Sequence, residues 1–126
     1  MNKILEINVK ITGFNAVECE ARKIVMIEFE AEADCESFKG KTVAKGCDTQ
    51  TIDKSGMRLS ARYMLEGVDC DGLPCRIFIE NNGRDMLNCT PKIVTDSKAL
   101  SFLMTSDLKA EVTPADGGVT VKIFVI

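Results

Sequence analysis

Strict alternation of apolar and polar residues most restricts what this chain can fold into. Over residues 5–12, Leu5, Ile7, Val9 and Ile11 alternate with Glu6, Asn8, Lys10 and Thr12. Over residues 25–33, Val25, Ile27, Phe29 and Ala31 fall on one face, with Glu28, Glu30 and Glu32 on the other. Near the far end, Val119, Val121, Ile123 and Val125 alternate with Thr120, Lys122 and Phe124. A period of two sends successive side chains to opposite faces of a strand, so each stretch reads as a strand with one buried face. Further candidate strands cover residues 42–52, 57–67, 75–82, 86–94 and 105–112. Glu28, Glu30 and Glu32 read as a solvated face, because like charges at this spacing favour water.

About eight short strands separated by turn residues predict an all-β fold, a single antiparallel β-barrel with one short helix before the last strands. The 126 residues suit one domain, 1–126, built on one core. The first and last strands are expected to pair and close the sheet, burying Leu5, Ile7, Val9, Val121 and Ile123. Residues 96–103 break the alternation. Asp96 is placed to cap a helix of one or two turns, and the apolar residues after it could plug one barrel end.

The stretch VDCDGLPC, residues 68–75, sets two cysteines around an Asp-Gly pair. Asp71-Gly72 suits a two-residue type I′ hairpin, which sets Val68 across from Cys75 and Cys70 across from Leu73. The two cysteines are then not cross-strand partners. One pair at an unusual spacing, without a second pair, favours structural thiols over a zinc or redox site. The chain has no histidine, which removes the commonest metal ligand and the usual general base together. No cofactor and no metal is implied.

Charge and hydropathy narrow the partners. A net charge of −3 with both signs interspersed argues against nucleic acid, which calls for a basic face. No apolar run is long enough to span a bilayer, and the opening residues carry charge where a signal peptide needs its apolar stretch. The expected location is cytoplasmic, with no membrane partner. A small-molecule ligand and a homo-oligomer stay open as partners.

A longer pattern carries a family likeness. Phe38-Lys39-Gly40, then Gly46-Cys47-Asp48-Thr49-Gln50, Ala61-Arg62-Tyr63-Met64-Leu65, Asp71-Gly72 and Asn81-Asn82-Gly83 follow in order. This arrangement resembles uncharacterised-protein family 0311, also called domain-of-unknown-function family 3237. The resemblance implies an antiparallel β-barrel whose function is not established. The family usually has Trp where this chain has Thr49, and tends to a Trp-Leu-Asn where it has Phe102-Leu103-Met104. If those residues build a ligand site, this chain lacks a stacking ring and an amide.

Asp48, Gln50, Arg62 and Tyr63 are the candidate ligand-binding residues, with Asn82 at an Asn-Asn-Gly turn that could rim the barrel mouth. Asp53-Lys54-Ser55-Gly56 is expected to form a three-residue loop with a glycine bulge. That loop sets Asp48 across from Arg62 and Gln50 across from Ser60. A two-residue loop would set Asp48 across from Ala61 and Gln50 across from Leu59. A facing carboxylate and guanidinium could anchor a polar ligand, work as an acid–base pair, or hold a polar barrel interior together. Tyr63 is in phase with Leu59, Ala61 and Leu65, so it also suits the core.

Three functions fit these residues. The first is a small-molecule-binding barrel with a polar site around Asp48, Arg62 and Tyr63. The second is an isomerase, cyclase or lyase for a small oxygenated substrate, with Asp48, Arg62 and Tyr63 as candidate catalytic residues. The third is a protein-interaction module without a pocket, working through a strand edge or apolar patch. The cysteine reading has a direct check. Denatured, never-reduced protein should titrate six thiols per chain, and loss of two would mark a disulfide.

Overall fold

The computed structural model describes the whole chain, Met1–Ile126. Nine strands form one antiparallel sheet: β1 (Asn2–Glu18), β2 (Lys23–Asp34), β3 (Phe38–Thr42), β4 (Gly46–Asp53), β5 (Gly56–Asp69), β6 (Pro74–Gly83), β7 (Cys89–Thr95), β8 (Leu108–Ala115) and β9 (Gly118–Val125). β1 pairs with β9 on one side and β2 on the other, so the sheet closes into a barrel. The two alternating segments at the chain ends meet as expected, with Leu5 opposite Ile123 and Ile7 opposite Val121.

The segment 42–52, expected as one strand, is split. β3 and β4 occupy one position in the ring, each pairing with both β2 and β5. Residues 43–45 leave the ladder between them. Val43 N–H still bonds the Met64 carbonyl at 2.9 Å, and the Thr42 hydroxyl accepts the Ala31 N–H at 3.3 Å. These contacts hold the break in place.

Inward-facing apolar residues fill one half of the barrel. Leu5, Ile7, Phe38, Leu65, Ile77, Ile79 and Ile123 have no exposed surface. A 3₁₀ turn, Ser101–Met104, closes that end and buries Leu100 and Leu103, as the break in alternation predicted. Asp96 does not cap it, because the turn starts later, after Leu100. Its carboxylate instead accepts the Arg76 N–H at 2.8 Å.

Two hairpins differ from expectation by one residue. The β5–β6 loop has three residues rather than two: Gly72 N–H bonds the Asp69 carbonyl, and Asp69 N–H bonds the Leu73 carbonyl. Gly72 takes φ +75°, the left-handed conformation of a glycine bulge. Val68 therefore faces Pro74, and Cys75 faces Gly67. Cys70 is exposed in the loop while Cys75 is buried, and all six thiols are free. The β4–β5 loop has two residues rather than three, Lys54-Ser55, with Gly56 at φ +111° opening the return strand.

At the end away from the 3₁₀ turn the wall is uneven. β1 leaves β9 after the Lys10–Gly118 pair, but stays with β2 as far as Glu18–Lys23. A bulge at Thr12 marks the departure. No helix of the structure is long and apolar enough to cross a membrane.

The packing predicts one large stability effect. Phe38 is fully enclosed at the closed end. Phe38→Ala should cost about 3–5 kcal/mol, the range for a buried phenylalanine replaced by a cavity, measured by urea melts.

Candidate functional site

The two-residue β4–β5 loop decides which polar residues face inward. Directly opposite residues of an antiparallel pair share a face, so the register of this hairpin assigns every side chain to wall or interior. Asp48 lies across from Ala61, Gln50 from Leu59, and Arg62 from Cys47. Arg62 is thus one step out of phase with Asp48, and the expected Asp48–Arg62 pair does not form. Arg62 points outward, with its side chain 68% exposed, and its Nε pairs with Glu80 at 2.9 Å. Asn82 lies on the same outer face and donates to Glu80 at 3.0 Å. It belongs to β6 rather than to a turn, which follows it at residues 84–88.

Asp48, Gln50 and Tyr63 do come together, and they are joined by Asn81. All four line a cavity of about 230 Å³ inside the barrel, in the half away from the 3₁₀ turn. The rest of its wall is apolar, including Phe29 from β2, Leu59 from β5 and Val121 from β9. Exposed Ile11 and Met86 complete its lining. Gly46 sits in phase with Asp48 and makes room for the rings: a Cβ there would lie 2.6 Å from the Phe29 ring. Phe29 and Tyr63 meet edge to face, with centroids 5.2 Å apart.

Within this apolar wall three buried polar atoms have no hydrogen-bond partner in the protein: Asp48 Oδ1, Tyr63 Oη and Asn81 Oδ1. The other Asp48 oxygen accepts from Gln50 Nε2 at 3.0 Å. Burial raises the Asp48 pKa above its ordinary 3.8, and hydrogen bonds from Gln50 and the Ser60 backbone oppose that rise. Burial alone pushes the Tyr63 phenol up, so it is a neutral hydroxyl at physiological pH. In the core beside the chamber, the buried Cys89 thiol bonds the Asp85 carbonyl at 3.1 Å. Burial and the charges of Asp85 and Asp48 raise its pKa.

Other regions offer less. A wider groove on the outer wall beside residues 43–45 carries Lys10, Glu30, Glu32 and Lys45, and none of the unpartnered buried atoms. No three Cys, Asp or Glu side chains cluster so as to hold a metal ion. The arrangement is therefore a small apolar chamber that presents a carboxyl, a phenol and an amide oxygen. By sequence, Asn81 falls in the Asn-Asn-Gly turn and only Asn82 is named as ligand-binding, although Asn81 continues the inward phase of Cys75, Ile77 and Ile79 on β6. A polar residue at an inward position of an alternating strand was the available signal.

Fold and cavity together define a class, a closed antiparallel β-barrel with a partly polar chamber at one end. No protein-family model matches the chain. No curated protein matches it either. Solved structures share the fold over nearly its whole length. A protein of unknown function from Clostridium acetobutylicum ATCC 824 is 20% identical, with a TM-score of 0.79 over 99% of this chain and 97% of its own. A β-barrel-like protein from Acinetobacter baumannii AYE is 17% identical, with a TM-score of 0.77 over 98% and 93%. An enzyme from Penicillium herquei is 13% identical, with a TM-score of 0.74 over 98% and 92%.

The burial of Asp48 gives a pH prediction. Its pKa is raised on folding, so the folded state holds this proton more tightly than the unfolded chain does. Stability from this group is then greatest below the unfolded value of 3.8 and falls as pH rises towards the folded pKa. Asp48→Asn removes that dependence. Urea melts over a pH series should show the variant gaining on the wild type as pH rises above about 4. A difference that is flat with pH would contradict the raised pKa.

Proposed function

We propose that this protein binds a small, neutral, mostly apolar ligand bearing hydroxyl or similar donor groups, held in the barrel chamber. The observation that carries this reading is the convergence of Asp48 Oδ1, Tyr63 Oη and Asn81 Oδ1, all unpartnered, on one apolar cavity. A buried polar group without a partner costs about 1–3 kcal/mol, and three in one place suit a site that a ligand completes. The wall contains no Lys, Arg or His, and the Asp48 carboxylate would repel an anion. Carboxylates and phosphates are therefore disfavoured. A cavity of about 230 Å³ suits a ligand of one or two fused rings. Six free thiols, two of them exposed, suit the reducing cytoplasm. The binding-site residues are Asp48, Gln50, Tyr63 and Asn81; Arg62 and Asn82 serve the outer wall. Membership of uncharacterised-protein family 0311 is part of the same proposal.

A naphthol and the matching naphthoate test it, followed by calorimetry or amide chemical shifts. The naphthol should bind at least about tenfold more tightly than the naphthoate, and Tyr63→Phe or Asn81→Leu should weaken it about tenfold, the value of one hydrogen bond. Equal binding of the carboxylate, or binding unchanged by both substitutions, would refute the reading.

A second reading, an acid–base isomerase, cyclase or lyase, is favoured by Asp48 alone. A carboxylate whose pKa is raised by burial is a stronger base than an exposed one. It could take a proton from a ligand hydroxyl while the Tyr63 phenol donates to a developing oxyanion. The similar fold of the Penicillium herquei enzyme is compatible with this. With a turned-over substrate, Asp48→Asn should abolish turnover while leaving binding within about tenfold of the wild type.

A further inference from the structure

Residues 12–18 of β1 form an open sheet edge. The last bond to the β8–β9 hairpin is Ile11 N–H to the Gly117 carbonyl, at 3.0 Å. Beyond it β1 is paired on the β2 side only. The Cys19 N–H to Arg22 carbonyl bond at the hairpin end sets the phase of that ladder. Counting back in twos, Val17, Asn15 and Gly13 turn their backbone groups towards β2, while Glu18, Ala16 and Phe14 turn theirs to the open side. Edges of this kind are normally blunted by lysine, proline or a covering segment. Residues 12–18 contain neither lysine nor proline. They instead expose Phe14 by 63% and Val17 by 67%.

We propose that this edge joins two copies of the chain, β1 against β1, antiparallel about a two-fold axis at Asn15. The sequence of the edge selects a second copy as the occupant, because it is complementary to itself in this register. Phe14 falls opposite the partner's Ala16, Gly13 opposite the partner's Val17, and Thr12 opposite the partner's Glu18. Each large apolar side chain meets a small one, and no two charged residues are direct cross-strand partners. Pairing also uses the free N–H and C=O groups of Phe14 and Ala16 on both copies, the bonds that give strand addition its affinity. Phe14 shares its face with Ile27 of the cavity wall, so the joint lies next to the chamber mouth.

Sedimentation across micromolar concentrations tests the proposal on the full chain. The wild type should be a dimer. Ala16→Pro removes an N–H that points only to the open side, a placement that edge strands tolerate. It should weaken self-association by at least about tenfold while leaving the far-UV circular dichroism unchanged. Phe14→Glu, which sets two carboxylates beside the axis, should do the same and serves if the proline variant does not fold. A monomeric wild type, or a dimer that neither substitution weakens, would overturn the proposal.

Discussion

Closure of the barrel through the β1–β9 pair is the constraint on which the rest depends. In an open sheet a strand can slip and leave its neighbours intact. In a closed one every strand is bonded on both sides, so the register at each hairpin must agree with all the others. Leu5 opposite Ile123 and Ile7 opposite Val121 join the chain ends and set which face of β1 is inside. From there the inward phase passes to Phe29 on β2, Asp48 on β4, Ala61 on β5 and Asn81 on β6. A one-residue change in any loop would move a whole set of side chains from interior to wall.

The barrel treats its two ends differently, and two aspartates, Asp69 buried and Asp48 half-buried, show how. At the closed end, Asp69 accepts the Ser97 hydroxyl at 2.7 Å with one oxygen and the Asp71 and Leu73 N–H groups with the other. These bonds stabilise the charged form and lower its pKa despite burial. At the chamber end, Asp48 has one oxygen bonded by Gln50 and the other free, and its pKa rises. Asp69 is thus consumed in holding the β5–β6 loop and the residue-97 bend together. Asp48 keeps unspent hydrogen-bonding capacity facing a cavity, a difference of partners rather than of residue type.

Parts of the site were legible from residue phase alone. Tyr63 shares its period with Leu59 and Leu65, and Asp48 shares its own with Gln50, so each set had to fall on one face. Asn81 could have been found in the same way from Ile77 and Ile79. The relation between the sets was not legible. Asp53-Lys54-Ser55-Gly56 is compatible with a loop of two or three residues, because a glycine with positive φ serves either. A loop of three sets Arg62 beside Asp48; the structure has two, and Arg62 turns to Glu80 on the outside.

By itself, then, the sequence determined the all-β class, the pairing of the chain ends and the plug formed where alternation fails at Leu100 and Leu103. These follow from local periodicity, since a strand with one apolar face has to bury it. The tertiary structure decided the splitting of β3 from β4, the length of two hairpin loops, and the meeting of Asp48, Tyr63 and Asn81 in one chamber. Those outcomes depend on register between strands distant in sequence. Register is set by closing the whole ring at once, which no local run of residues specifies.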